Sequence, residues 1–315
     1  MTAAATPEIA GTAGSLLGKT ATAWRAPAFG MSGADRLIVT FSDGSAAFAK
    51  GATTEEIAGW LRNEHRILDH LRGTGLTPEV LGWQDDGTRL PLLVTEDLSA
   101  AYWPAAGAEN PNGGTSTVWR PGDIDALRRT LDRLRRTPLP ARLPRTPSWP
   151  GPQWPRVIEL ADRLVDLGVV VPGWLEAHAE TLTAVDAAAD TALDLGACLV
   201  HGDFRSDNVC LLGGAGEREA RLVDWSHAGA GHELHDLVQL LPTLHLEGGP
   251  PPWQVCTEPA PLIARLAGPS LQRACVSEQP TWLRRVFLEL ASINLTWLAA
   301  ALGLPQPVPE RDTNG

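Results

Sequence analysis

A polar octet, HGDFRSDN at residues 201–208, interrupts an otherwise apolar stretch of the chain. Two short apolar runs follow it, at 209–212 and 220–223, and a glycine-rich stretch separates them. This pattern predicts an antiparallel hairpin. Because the two open ends of a hairpin lie side by side, Asn208 would stand next to Asp224. An amide oxygen and a carboxylate at one point suit Mg²⁺, which takes few protein oxygens together with phosphate and water.

The spacing of the octet points to phosphoryl transfer. Asp203 lies five residues before Asn208, where its carboxylate would face the same ion. Phosphoryl transfer needs a metal to neutralise phosphate charge and a group that takes the proton of the attacking hydroxyl. Protein kinases place these groups in H-R-D-L-x-x-x-N and in D-F-G, and here H-G-D-F-x-x-x-N has the same offsets. The triplet DWS at 224–226 stands where D-F-G would.

The octet, followed by LVDWSHAGAG at 222–231, resembles the aminoglycoside phosphotransferase and choline kinase family, a branch of the kinase-like fold. That resemblance implies that Asp203 is the catalytic base and that Asn208 and Asp224 bind Mg²⁺. It also implies that His201 anchors the catalytic loop and that Asp236 braces this loop from the next helix.

The resemblance continues more weakly toward the N-terminus. It implies that Lys50, at the end of a predicted strand, contacts the phosphates of ATP, and that Glu64 on the following helix pairs with it. Glu96 and Leu98 would form the hinge whose backbone groups bind adenine. The loop at 29–35 would cover the phosphates, although it lacks the G-x-G-x-x-G pattern.

The fold that this resemblance implies is α+β: a two-lobed protein-kinase-like fold with a small antiparallel sheet in the N-lobe and a larger, mainly helical C-lobe. The lobes would span residues 1–97 and 98–315. Residue patterns agree with this division. They predict strands at 21–27, 36–41, 46–50 and 91–99, and helices at 53–70, 122–136, 156–167, 172–195 and 280–304.

The expected reaction is transfer of the γ-phosphoryl group of ATP to a hydroxyl of a small molecule. A net charge of −11 and the resemblance favour an amine-bearing acceptor, such as an aminoglycoside, with Glu233 and Glu289 as candidate contacts. The alternative is a small-metabolite kinase of the choline, homoserine or sugar type, in which Trp253 and Trp297 could hold a choline-like cation. A catalytically inactive binding protein on the same scaffold is a weaker alternative.

Other features exclude competing classes of function. The acidic balance disfavours nucleic acid as a partner. The four cysteines form no CxxC pair, and the first residues lack a basic stretch with an apolar core, so a cytoplasmic protein is expected.

The apolar segment 286–304 carries Glu289 and Asn294, which favours a buried helix over a membrane span. The sequence AGSLLGKT at 13–20 fits a relaxed Walker A pattern by chance, since no apolar strand precedes it.

Overall fold

The N-terminal part of the chain forms a five-stranded antiparallel sheet with two helices. The strand order is β1-β2-β3-β5-β4. The elements are α1 (Ala5–Leu17), β1 (Ala21–Arg25), β2 (Asp35–Phe41), β3 (Ala46–Gly51), α2 (Glu55–His70), β4 (Val80–Gln84) and β5 (Leu92–Glu96). This computed structural model describes residues 5–27, 33–104, 119–120, 122–141, 143, 151–194, 198–214, 218–278 and 280–308.

The two faces of this sheet have different neighbours. Side chains on successive strand residues point to opposite faces. One face packs on α1, and its apolar core consists of Ala10, Ala13, Leu37, Val39, Phe41, Ala47, Ala49, Leu92 and Val94. The opposite face carries Arg36 and Ile38 of β2 and Phe48 and Lys50 of β3, since these residues alternate with the core positions and are paired across the two strands. That second face turns toward Glu64 and Asp224, which both lie 2.7 Å from the Lys50 ammonium.

Helix α2 begins close to where its sequence predicts. Thr54 is the N-cap, and its hydroxyl accepts a hydrogen bond from the backbone N–H of Ile57 at 3.2 Å. The helix thus starts one to two residues after the predicted start at residue 53. Leu61 and Ile67 are buried on one face of the helix, and Glu64 is buried on the same element. The cap and the apolar stripe together fix the rotation of α2, and so the direction of Glu64.

The rest of the chain is mainly helical, with two short antiparallel strand pairs, β7 with β8 and β6 with β9. Its elements are α3 (Asp123–Arg135), α4 (Trp154–Glu159), α5 (Ala161–Asp166), α6 (Trp174–Asp194), β6 (Cys198–Val200), β7 (Val209–Leu212), β8 (Glu219–Leu222), β9 (Gly229–Gly231), α7 (His235–Leu246), α8 (Pro252–Val255), α9 (Ala260–Ala274) and α10 (Thr281–Leu302). The predicted hairpin is present, with Val209 opposite Leu222.

Sequence patterns and structure differ at several elements. The patterns predict neither α1 nor β4. The helix expected at 156–167 is divided at Leu160 into α4 and α5, because the backbone of Leu160 leaves the helical region at φ −97° and ψ 10°. Residues 142 and 144–150 of the proline-rich segment 137–155 lie outside the described residues, as do residues 29–32 of the predicted phosphate loop.

A buried ion pair joins the helices that support the C-terminal lobe. Arg265 of α9 donates from Nε to Asp186 Oδ1 of α6 at 2.6 Å, and both side chains are almost fully buried. The other oxygen of Asp186 accepts the backbone N–H groups of Gln153 and Trp154 at 2.6 and 3.2 Å, at the start of α4. Because every oxygen of this carboxylate has a donor, the pair ties three helices together without an unpaired buried charge.

Helix α10 is long and apolar enough to cross a membrane by length and composition, a property that it shares with the core helices of soluble proteins. Its second half is buried against the lobe through Ala291, Asn294, Leu295, Trp297, Leu298 and Ala299. In its first half the side chains are exposed or only half-buried. The helix that the sequence predicts is therefore present, but only part of it is a core helix.

Candidate active site

The ammonium group of Lys50 lies at the centre of the site. Its Nζ is 2.7 Å from Glu64 Oε2 of α2 and 2.7 Å from Asp224 Oδ1, which follows β8. Ser226 Oγ lies 3.3 Å from the same nitrogen. Burial opposes the charge, but the two carboxylates together hold the pKa of Lys50 above its ordinary value. The structure therefore brings three of the predicted site residues together, from three separate elements.

Asp224 is held in an unusual backbone conformation. Its φ of 61° and ψ of 62° lie in the left-handed region, and it is the only non-glycine residue with positive φ in the described part of the chain. Burial works against its charge, yet Lys50 and the hydroxyl of Ser226, 2.8 Å from Oδ1, keep the pKa of this carboxyl well below its usual range. Backbone strain held at an ionised carboxylate is typical of functional sites.

Asn63 connects α2 to the segment that carries Asp224. Its Nδ2 donates to the backbone oxygens of Ser226 at 3.1 Å and Ala228 at 3.0 Å. Since Asn63 precedes Glu64 directly, the same turn of α2 binds Lys50 and the backbone after Asp224. No sequence pattern predicts this role for Asn63, because its partners lie more than 160 positions away.

Asp203 and Asn208 face each other within the octet. Asn208 Nδ2 donates to the backbone oxygen of Asp203 at 2.8 Å and to its carboxylate Oδ2 at 3.2 Å. Arg205 lies between two carboxylates, with Nε 3.3 Å from Asp203 Oδ1 and Nη2 3.0 Å from Asp207 Oδ2. The Asp203 carboxylate is thus oriented from both sides, and about a third of its side chain remains exposed to solvent.

Helix α7 holds the polar octet through its first turn. Asp236 accepts the backbone N–H of His201 at 2.8 Å and that of Gly202 at 3.1 Å. One turn later, Gln239 accepts the N–H of Phe204 at 3.1 Å and donates to the oxygen of Gly202 at 3.1 Å. The sequence predicted the bracing contact of Asp236 but not that of Gln239, which has no motif of its own.

His201 and Gly202 fit the loop for separate reasons. The buried His201 ring accepts the N–H of Asp203 at Nδ1, 3.3 Å away, so Nε2 is the atom that donates to the oxygen of Val223 at 2.9 Å. This bond joins the loop to the residue before Asp224. Gly202 has φ +78°, and a Cβ there would collide with the backbone oxygen of His227. Only glycine, which has no Cβ, tolerates both the positive φ and this close approach.

The donor set fits a magnesium–nucleotide site. Both hydrogen bonds of the Asn208 amide use Nδ2, which leaves its oxygen as a ligand, and the backbone oxygen of Asn208 binds the N–H of Val223 at 3.0 Å, beside Asp224. Within the described ranges, no group of three or more His, Cys, Asp and Glu side chains is arranged to hold a metal on its own. One carboxylate and one amide oxygen are the sparse set that Mg²⁺ uses when phosphate completes its shell.

The predicted hinge residues lie at the junction of the lobes. Glu96 ends β5, and its side chain pairs with Arg221 of β8. The backbone oxygen of Leu98 accepts Ala101 N–H and the indole N–H of Trp103, each at 3.0 Å. The contacts of Glu96 and Leu98 with adenine remain a prediction.

The candidate acceptor contacts differ in their exposure and in their partners. Glu289 pairs with Arg285 at 3.0 Å on α10, and Glu233 is exposed at the start of α7. Trp297 is fully buried, with its indole N–H bound to Cys256 O at 2.5 Å, so it cannot hold a ligand. Trp253 is half-buried against His245, with ring centroids 5.5 Å apart.

A carboxyl group that the sequence analysis missed does lie beside the loop. Ser206 of the octet donates to Glu247 Oε1 at 2.6 Å, and Trp119 Nε1 donates to Oε2 at 3.0 Å. Burial raises the pKa of Glu247 to about 7, against the effect of these two hydrogen bonds, and the charge of Asp207 raises it further. Burial also raises the pKa of Asp207. Burial therefore favours the uncharged form of Asp207, within the octet, and of Glu247, which binds Ser206 of the octet.

The family follows from a comparison with family models. Residues 32–269, about three quarters of the chain, match the model of the phosphotransferase enzyme family, APH. The chain belongs to this family. It is therefore a small-molecule phosphotransferase, and the resemblance that the octet indicated is confirmed. No curated protein sequence matches the phosphotransferase.

Solved structures confirm the two-lobed α+β fold of the phosphotransferase. Wild-type aminoglycoside 2'-phosphotransferase-IIIa in its GDP complex superposes with a TM-score of 0.58 at 13% identity, covering 93% of this chain and 99% of its own. A choline/ethanolamine kinase family protein from Mesorhizobium loti gives 0.53 at 17%, covering 96% and 99%. A GDP and kanamycin complex of APH(2")-IIIa gives 0.51 at 15%, covering 95% and 98%. At these identities the likeness establishes the fold alone.

Lys50 and Lys19 are the two candidate contacts for phosphate, and they differ in their surroundings. Lys19 of the Walker A-like sequence follows α1 and lies exposed, 2.7 Å from Ser45 and 2.9 Å from Asp43. We expect Lys50→Ala to weaken nucleotide binding by about tenfold or more, because a charge-assisted contact is lost. Lys19→Ala should change it less than about twofold. Titration calorimetry with ATP checks both, and the reverse order would show that Lys50 does not contact the phosphates.

Proposed function

We propose that this phosphotransferase moves the γ-phosphoryl group of ATP to a hydroxyl of a small, amine-bearing molecule, with Mg²⁺ as its metal. The observation that carries the proposal is the convergence of the Lys50–Glu64–Asp224 contacts with the Asp203–Asn208 pair. A cation, a metal-binding pair and a proton acceptor are the parts that phosphoryl transfer needs.

Each residue has a distinct role in this proposal. Lys50 binds a phosphate oxygen, and Glu64 keeps its ammonium in place. Asn208 and Asp224 hold Mg²⁺, which when bound neutralises phosphate charge. Asp203 accepts the proton of the acceptor hydroxyl while the oxygen of that hydroxyl forms a bond to the γ-phosphorus and the bond from that phosphorus to the β,γ-bridging oxygen breaks. The products are a phosphate ester and ADP.

The amine on the acceptor is proposed from the electrostatics beside the catalytic loop. Asp207 and Glu247 both have raised pKa values through burial, and a bound ammonium would relieve that cost. A solved structure of similar fold contains kanamycin, an amine-bearing molecule, together with GDP. The choline type of acceptor loses support because Trp297 is part of the core. Its remaining support is the likeness to a choline/ethanolamine kinase family protein.

The cytoplasm is the proposed compartment. All four cysteines are free thiols, two of them buried, and a reducing environment keeps such thiols unpaired.

Replacing the proton acceptor tests the reaction itself. Asp203→Asn keeps the size of the side chain but cannot take up a proton. We expect kcat to fall by roughly 10²–10⁴-fold while ATP binding and the unfolding temperature stay near wild type. The assay uses Mg²⁺-ATP with a panel of aminoglycosides, choline, homoserine and sugars, and detects the phosphorylated product by mass spectrometry. Near wild-type turnover by the variant would contradict the role of Asp203.

The pH dependence of acceptor binding tests the role of Glu247. Its carboxyl gains charge as pH rises through about 7. The KM for an amine-bearing acceptor such as kanamycin should therefore fall between pH 6 and pH 8. In Glu247→Gln this pH-dependent fall should disappear, with KM at pH 8 raised about fivefold, the upper end for a partly exposed ion pair. Glu289→Gln, which removes a carboxylate on α10, should behave as wild type. The same slope in wild type and Glu247→Gln would refute the contact.

A further inference from the structure

The register of the N-terminal sheet places a second cation beside Lys50. In the antiparallel pair of β2 and β3, Arg36 lies directly opposite Lys50. Side chains at directly opposed positions stand on the same face of a sheet. The other face is occupied by Leu37, Val39 and their neighbours under α1, which leaves the side of Lys50 for Arg36.

The guanidinium of Arg36 interacts electrostatically with Asp224. Its side chain is half-buried, and burial lowers the pKa of the guanidinium, while the carboxylate of Asp224 acts in the opposite direction. Asp224 belongs to the C-terminal lobe, so Arg36 interacts electrostatically across the two lobes, at the residue that we propose as a metal ligand. A guanidinium on the outer surface of the sheet would be neither half-buried nor close enough to interact with Asp224.

Lys50 by itself is a poor counterion for a triphosphate. Two carboxylates already lie 2.7 Å from its ammonium, so the group of Lys50, Glu64 and Asp224 has a formal net charge of −1. A nucleotide triphosphate brings several more negative charges to the same place. Either further cations from the protein face the phosphates, or Mg²⁺ alone compensates them.

We propose that Arg36 is a second phosphate-binding cation of the nucleotide site. This inference rests on the proposed ATP-dependent reaction. The guanidinium presents a planar set of donors that matches phosphate oxygens, and it stays charged even where burial disfavours charge. Arg36 also follows the segment 29–35, which has only two glycines and none of the spacing of a glycine-rich phosphate loop. A side-chain cation supplies attraction for phosphate that such a loop does not.

The competing explanation is structural. Arg36 would then only tie the two lobes together through Asp224, and its removal would lower stability without regard to phosphate. The two explanations differ in how the effect depends on the number of phosphates in the ligand.

Titration calorimetry with adenosine, ADP and ATP, in the presence of Mg²⁺, separates them. Arg36→Gln should weaken ATP binding by about 10- to 100-fold, the range of one hydrogen bond between charged groups. Its effect on adenosine should stay below about twofold, and Arg36→Lys should recover part of the loss. Arg89→Gln, which removes a charge from the exposed loop before β5, is the matched control and should leave all three affinities unchanged.

A second measurement uses the unaltered protein. ATP should slow the reaction of Arg36 with the arginine reagent phenylglyoxal, mapped by peptide mass spectrometry, and adenosine should not. Equal ATP affinity in wild type and Arg36→Gln, an equal loss for adenosine and ATP, or the absence of protection by ATP would overturn the inference while leaving the proposed reaction in place. If the wild-type protein binds neither ATP nor GTP, the proposed reaction fails and this inference fails with it.

Discussion

The contact between Lys50, Glu64 and Asp224 is the interaction on which the rest of the site depends. A buried ammonium is costly unless it is paired, and two carboxylates from different elements provide the pairing. Because Lys50 belongs to β3, Glu64 to α2 and Asp224 to the segment after β8, this cation connects the two lobes. Asn63 strengthens the same junction with two hydrogen bonds to the backbone after Asp224.

Hydrogen bonds from side chains to backbone groups hold the polar octet at this junction. Asp236 and Gln239 of α7 hold it from one side, and His201 binds the backbone oxygen of Val223, one residue before Asp224. Asp203 and the strained Asp224 are therefore held in relation to each other before any ligand arrives. Such preorganisation is how a site lowers the cost of placing charge in a transition state. It gives a physical reason for the octet to have this composition.

Local sequence patterns were sufficient to predict part of the fold and part of the site. The octet, its hairpin and α2 were predictable because their residues interact over a few positions, and the family resemblance supplied Lys50, Glu64 and Asp236. Asn63, Gln239, Arg36 and Glu247 were not predicted, because their partners lie far away in the sequence and no motif marks them. Glu289 and Trp297 were chosen from residue type alone. The structure pairs the first with Arg285 and buries the second. Acceptor residues depend on how helices pack, which spacing does not determine.

We propose that Asp224 converts the Lys50 junction into a metal–nucleotide site. Titration calorimetry of Asp224→Ala with ATP, with and without Mg²⁺, tests it most directly. We predict a loss of affinity of about tenfold or more for Mg²⁺-ATP. Without Mg²⁺ we predict no loss, because the substitution removes a negative charge that faces the phosphates and releases Lys50 from one of its partners. Equal losses under both conditions would contradict the claim and would make Asp224 a purely structural partner of Lys50.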